Sequence, residues 1–315
     1  MIVSITHEVD LDGLGSQAII KRYYEKEMGL IPEEISLYYA HYTNFKERIN
    51  EIFDISLLEV LIITDIGFNK DYTELFPLFK KLKKKNCKIY WFDHHLIEIE
   101  FAEELIHTIE LYYNDFQKCS AEIVKDFYLP EDKIANEIAQ FAHETDFGTN
   151  QSKKAIELQT IISFNRGKKN DQNKKKIVKL LSNGEYENKW FSEELSKSEK
   201  WQTNEQKRIE KNIHLVKINN FGELVLSNAK MSAGSIAKYL KQNYPDKNGY
   251  LGIDQRYDEL VLYSHKVNCR NLAVKFNGGG HKNRAGFKFD NISIDSKVKR
   301  QFLEILISEI KNNLI

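Results

Sequence analysis

Carboxylates and imidazoles close three apolar runs of this chain. His7, Asp10 and Asp12 follow residues 2–6, Asp65 ends Leu61-Ile-Ile-Thr-Asp65, and Asp93, His94 and His95 follow Lys88-Ile-Tyr-Trp-Phe92. Oxygen and imidazole nitrogen without thiolate suit manganese or magnesium better than a structural zinc site, with iron, cobalt or zinc as substitutes. Carboxylates gathered this closely repel one another unless cations lie among them. Asp146, in His143-Glu-Thr-Asp146-Phe-Gly148 after a helical stretch at 133–142, is the fourth contributor expected. Each signal alone is weak, because a strand-end aspartate is usually a helix cap and a lone histidine a structural residue. Their combination points to a metal centre.

The elements that must position these groups read as α/β. Residues 1–150 alternate strand-length apolar runs (2–6, 36–40, 60–64, 88–92) with amphipathic stretches at 16–27, 45–53 and 71–85, Pro77 kinking or splitting the last. This predicts a mostly parallel sheet with helices on both faces, its carboxyl edge carrying the site. Residues 151–212, diluted in apolar groups and broken at Asn183-Gly184, read as a helical connector. Residues 213–315 read as a smaller α/β domain with a mixed sheet: a hairpin of 214–218 and 223–227, a helix at 235–241, strands at 250–254 and 259–264, and a last helix at 296–313 with Asp295 as N-cap.

Composition fits that plan. At 315 residues, 42% hydrophobic, the chain can fill two cores. Cys87, Cys119 and Cys269 have no C-x-x-C spacing, which argues against a disulfide framework and for a reducing, cytoplasmic setting. No apolar stretch is long enough to cross a bilayer and no leader pattern opens the chain. Lys plus Arg (46) equals Asp plus Glu (46), so the surface lacks the positive field of a protein that tracks long nucleic acid. The lysine runs at 80–85 and 168–176 therefore read as a solvated helix face and a mobile loop.

One further motif can bind an anion. Gly278-Gly279-Gly280 lies between a helix at 270–276 and a strand at 287–289, where glycines allow positive φ and let N–H groups approach a phosphate. His281 and Arg284 can add charge. Met231, Tyr250, Tyr257 and Tyr263 read as core.

These residues resemble the DHH phosphoesterase superfamily, whose name is spelled by Asp93-His94-His95. His7-x-x-Asp10-x-Asp12-Gly13 is similar to its first motif, Thr64-Asp65 to its second and Thr145-Asp146-x-Gly148 to its fourth. Gly278-Gly279-Gly280-His281-Lys-Asn-Arg-Ala-Gly286-Phe287 resembles the signature of the DHH-associated C-terminal domain of nano-RNases and RecJ-type exonucleases. The resemblance implies two divalent ions, manganese foremost with magnesium or cobalt as alternatives. One is held by His7, Asp10 and Asp65, the other by Asp12, Asp65, His94 and Asp146. It further implies that Asp93 orients a histidine, that His95 faces the substrate phosphate, and that hydroxide shared by the ions attacks phosphorus.

Two departures bear on substrate. The first motif is one residue shorter than in nano-RNases, and Tyr263-Ser264-His265-Lys266 stands where relatives carry Arg-Ser, leaving His265, Lys266 or Arg284 to supply the charge. The substrate-binding set expected is Gly278, Gly279, Gly280, His281, Arg284 and His265. The function expected is hydrolysis of short oligonucleotides, linear dinucleotides or small nucleotide phosphates. The alternatives are a cyclic-dinucleotide phosphodiesterase and a catalytically silent nucleotide-binding module. No membrane and no long duplex are expected as partners, and a homodimer is left open.

Overall fold

The structure is a computed structural model that describes residues 1–149, 152–276, 278–289, 293–294, 297–298 and 300–315. The chain divides into two compact units, Met1–Ser198 and Glu199–Ile315.

In the first unit β1 (Ile2–His7), α1 (Leu11–Lys26), β2 (Ile35–Ala40), α2 (Phe45–Phe53), β3 (Val60–Thr64), α3 (Phe76–Lys84), β4 (Lys88–Asp93), α4 (Ile99–Thr108) and β5 (Leu111–Asn114) follow one another. The strands pair in parallel in the order β2-β1-β3-β4-β5. Winding therefore reverses between β1 and β3, where open α/β sheets leave a crevice beyond the strands' carboxyl ends. β1 and β3 are covered on both faces, which is why both are near-continuous apolar runs. One face packs Leu14, Ile62 and Phe92 with α1, and the other packs Ile63, Trp91 and Phe79 with α2 and α3.

The α/β class expected from the sequence is the class found, with local differences. α1 begins five residues earlier than its predicted start at 16. β5 has no counterpart among the predicted strands. Pro77 splits its segment, a 3-10 turn at Lys70–Leu75 running into α3 with the proline in its first turn, where no N–H is required.

The chain continues through α5 (Ser120–Tyr128), α6 (Lys133–Asp146), α7 (Lys153–Phe164), α8 (Asp171–Ser182) and α9 (Lys189–Lys211). Asp146 is the last residue of α6 rather than part of a following loop, and Gly148, at φ 65°, takes the left-handed conformation just past the helix end. α7 and α8, read as connector, bury Leu158, Ile161, Ile177 and Val178 in the core that α1 shares. The lysine run at 168–176 is no loop: a 3-10 turn at Lys168–Asn170 leads into α8, whose apolar residues hold it against that core.

The second unit holds β6 (His214–Ile218), β7 (Gly222–Ala229), α10 (Ala233–Asn243), β8 (Gly249–Asp254), β9 (Glu259–Ser264), α11 (Cys269–Val274), β10 (Gly279–His281), β11 (Arg284–Lys288), the short pair β12 (Ser293–Ile294) and β13 (Lys297–Val298), and α12 (Arg300–Asn312). Its six-stranded sheet, ordered β10-β11-β9-β8-β7-β6, is mixed, because α10 crosses over between the parallel β7 and β8. Asp295, the expected cap of the last helix, lies outside the described residues. No helix among the described residues is long and apolar enough to cross a membrane.

Asp132 caps α6, accepting from the Ala135 N–H at 2.8 Å, and grips Arg22 of α1 through two bonds of 2.8 Å. The Arg22 guanidinium holds its carboxyl below the usual range despite partial burial. The stabilisation is thus complete above the ordinary aspartate pKa and is lost as pH falls through the lower folded value. Asp132→Ala is expected to cost about 1–2 kcal/mol at neutral pH, with the gap to wild type closing below about pH 4 in urea denaturation.

Candidate functional site

β1, β3 and β4 are the three central strands, so their carboxyl ends sit side by side. β1 delivers His7, then turns at once into α1. Asp10 is the N-cap of that helix, accepting from the Gly13 N–H at 3.1 Å, and Asp12 lies in its first turn. The turn is possible only with glycine at 13, where a Cβ would stand 2.2 Å from the His7 carbonyl oxygen. Thr64 donates to the Thr6 hydroxyl (2.7 Å), which donates to the Gly13 carbonyl (2.8 Å), joining β3, β1 and α1 beneath the site. Asp65, just past β3, has φ 56°, a left-handed conformation that costs a non-glycine residue energy and is found where surroundings enforce it. Its N–H is held by the Phe92 carbonyl at 3.1 Å.

The groups converge. His7 Nδ1 lies 3.1 Å from Asp10 Oδ2 and 3.5 Å from Asp65 Oδ2. His94 Nε2 lies 3.4 Å from Asp65 Oδ1 and 3.5 Å from Asp12 Oδ2, and its Nδ1 lies 3.6 Å from Asp146 Oδ2. Two sets, His7/Asp10/Asp65 and Asp12/His94/Asp146, each place ligand atoms within 4.8 Å of one another, and a third, Asp65/His94/His95, overlaps them. Asp65 turns one oxygen toward each histidine.

A divalent cation fits this arrangement. Beyond the carboxylate contacts of His7 Nδ1, the ring nitrogens of His7 and Asp65 Oδ2 are buried without a well-aligned hydrogen bond among the described residues, a cost that native proteins avoid unless something else satisfies the atoms. Donors roughly 3 Å apart are what ligands about 2.1 Å from a shared ion at right angles require. The donors are carboxylate and imidazole throughout. The clusters are thus able to hold divalent metal.

Electrostatics agree with an excess of negative charge. Burial opposes the His7 cation, but the Asp10 and Asp65 charges overcome it and push the pKa up to about 10. His94 rises to about 9 in the same way: burial opposes its cation and Asp65, Asp12 and Asp146 outweigh it. Burial, with the Asp65 charge beside it, holds Asp12 well above the carboxylate range even though both its oxygens accept N–H groups at the start of α5, from Ser120 at 2.9 Å and Ala121 at 2.7 Å.

His95 is set apart by its partners. Its Nδ1 is 2.8 Å from Asp93 Oδ1, and its Nε2 is 3.3 Å from the Tyr42 hydroxyl, which also accepts the Gly67 N–H at 3.3 Å. Burial disfavours the imidazolium, yet Asp93 raises the pKa overall. Tyr42 and His41, whose ring stacks on His7 at 5.6 Å, are site residues that sequence reasoning misses. Both follow the carboxyl end of β2, and that strand-end position is the signal available.

In the second unit the glycine segment is an edge strand. β10 pairs with β11 through a two-residue turn at Lys282 and Asn283, so His281, Arg284 and Tyr263 stand in a row across three strands. Of the three glycines only Gly280 has positive φ (134°), and Gly278 packs so closely on the Gly286 carbonyl that a Cβ would lie 2.2 Å from its oxygen. His265, His281 and Arg284 come together at a cavity of about 530 Å³ with Lys241, Lys266 and Tyr263, while the glycines are not among its lining residues. An adjoining cavity of about 710 Å³ shares Lys241, Tyr263 and Arg284, and among the described residues no carboxylate lines either. Tyr263, expected in the core, carries the Arg284 guanidinium 5.2 Å from its ring centroid.

A doubly wound sheet with overlapping sets of carboxylate and imidazole donors at its switch point, Asp65 turned toward both His7 and His94, is a site able to hold divalent metal. Residues 1–144 match the DHH family, N-terminal domain. No curated protein sequence matches it. Among solved structures, a pGpG-specific phosphodiesterase, PggH from Vibrio cholerae, is 13% identical with TM-score 0.55, over 99% of this chain and 100% of that one. The DHH domain of a member of a family of ribosomal proteins is 15% identical with TM-score 0.63, over 99% and 86%. An uncharacterized protein from Helicobacter pylori G27 is 20% identical over 99% of both chains with TM-score 0.44. The first two likenesses show the fold.

Gly13→Ala is expected to force β1 and α1 apart. Thermal unfolding should reveal a loss of about 1–3 kcal/mol, and a rise in melting temperature on adding a divalent ion, expected for wild type, should be absent in the variant.

Proposed function

We propose that the protein is a manganese-dependent phosphodiesterase acting on short oligonucleotides, linear dinucleotides or small nucleotide phosphates. The observation that carries the reading is Asp65, whose two oxygens face two separate histidine and aspartate sets. In this reading His7, Asp10 and Asp65 hold one ion and Asp12, Asp65, His94 and Asp146 hold the other. Such ions, when bound, supply an acidified water and offset charge on phosphoryl oxygens.

The chain's own residues do the rest. Asp93 accepts the His95 Nδ1 proton, which fixes the ring and leaves Nε2 to serve the substrate. The proton that Asp93 helps to retain is donated toward a phosphoryl oxygen or the departing oxygen, with Tyr42 holding the ring edge until substrate arrives. The cavity lined by His265, His281 and Arg284 takes a phosphate of the substrate, and Tyr263 offers an aromatic face beside it. Its volume suits one nucleotide rather than a polymer, and zero net charge favours short substrates. PggH, which shares the fold, is specific for pGpG, itself a linear dinucleotide. Free thiols at Cys87, Cys119 and Cys269 support a cytoplasmic setting.

The test is manganese-dependent release of mononucleotide from a linear dinucleotide, beside cyclic dinucleotides, longer oligomers and bisphosphorylated adenosine. Asp65→Ala should bring turnover to background, and full activity in that variant would refute the assignment. His281→Ala should raise KM about tenfold, ~1.4 kcal/mol, with kcat largely kept. Tight nucleotide binding without turnover in metal-replete wild type would identify a silent binding module instead.

A further inference from the structure

The segment between His7 and Asp12 is held from outside residues 1–144. Glu8 is 4% exposed and forms an ion pair with Lys174 of α8, which is 0% exposed. The Lys174 ammonium also donates to the Gly167 carbonyl at 3.2 Å, lies 3.0 Å from Asp171 Oδ1 and stands 4.9 Å from the Tyr39 ring centroid. The Gly167 N–H completes the Glu8 carboxylate at 3.3 Å. From α7, Gln159 accepts the Leu11 N–H at 2.8 Å and donates to the Val9 carbonyl at 3.3 Å.

Glu8, Val9 and Leu11 thus each take a partner from α7, α8 or the loop joining them, while Asp10, between Val9 and Leu11, presents its carboxylate to His7. The Asp10 side chain is 31% exposed, and its place depends on the turn that lets it accept from the Gly13 N–H and meet His7. We propose that Lys174 and Gln159 are positioning residues for the His7 and Asp10 half of the centre, fixing the turn so that both donors meet an ion together. This rests on the metal reading above. Residues supporting metal ligands from one layer further out commonly shift affinity about 10–100-fold when removed. Here the support acts through the backbone of the ligand-bearing turn.

Removing only the lysine would leave Glu8 buried and unpaired and would endanger the fold, so Glu8→Gln with Lys174→Met is the informative combination. Gln159→Leu, at a half-buried position, perturbs packing least. Manganese binding is measured by titration calorimetry and by the electron paramagnetic resonance signal of the free ion, and metal-free melting is followed in parallel. Wild type should take two equivalents. In both variants one equivalent should keep its affinity and the other weaken about tenfold or more, with metal-free melting within about 3 °C of wild type for Gln159→Leu. Turnover should recover as manganese is raised, and Lys174→Arg should restore part of the affinity. Should the double variant fail to fold, Gln159→Leu decides alone. Wild-type affinity for both equivalents in a folded variant overturns this proposal only. A wild type that binds no manganese overturns the metal reading together with it.

Discussion

Buried negative charge at one sheet edge is the constraint around which the first unit is organised. Neighbouring strands lie about 4.8 Å apart, so residues leaving the ends of adjacent strands are within reach of a common ion. The order β2-β1-β3-β4-β5 makes the three ligand-bearing strands neighbours. Asp12 and Asp65 are 1% and 2% exposed, and charge so buried must be compensated. Asp12 takes part of its compensation from the start of α5, where unpaired N–H groups and the helix dipole favour an anion. Asp65 Oδ2 has no such partner. The features that would otherwise look like defects serve this convergence: a glycine where α1 meets β1, and a left-handed aspartate after β3.

The second unit solves the opposite electrostatic problem. Among the described residues its two adjoining cavities are lined by lysine, arginine and histidine without a carboxylate, in a chain whose charges cancel. Arg284 and Lys241 lie against Tyr263, so the cations are held by an aromatic face that leaves their outer N–H groups available to an anion. Arg284 pairs in register with Tyr263, so its guanidinium stands on the strand next to β9.

Much of this is legible in the sequence, for identifiable reasons. β1, β3 and β4 are largely buried on both faces, so their mostly apolar runs and the polar residues ending them stand out without any knowledge of neighbours. β5 does not stand out, because an edge strand of four half-covered residues, Leu-Tyr-Tyr-Asn, carries neither a continuous run nor a clean alternation. The sequence pattern ends α6 four residues early, since His143, Glu144 and Asp146 look like loop residues until the left-handed Gly148 shows where the helix stops. The glycine triplet reads in sequence as a loop that lets N–H groups approach a phosphate, whereas in the fold Gly278 packs on the Gly286 carbonyl of β11 and the cavity is lined by the side chains of its neighbours.

Lys174 marks the limit of such reading. In the run at 168–176 it looks like one more solvated lysine, and local composition gives no hint that its partner is Glu8, 166 residues away. A buried ion pair seldom adds net stability, because desolvation of both ions offsets their attraction. What it does add is geometry: each buried charge can be satisfied in only one arrangement of β1, α1 and α8. A hydrophobic pair in the same place would tolerate sliding of the helix against the turn, whereas Lys174 meets Glu8, Gly167 and Asp171 together only at one register. The turn that carries His7 and Asp10 is therefore held partly by helices that lie beyond residues 1–144.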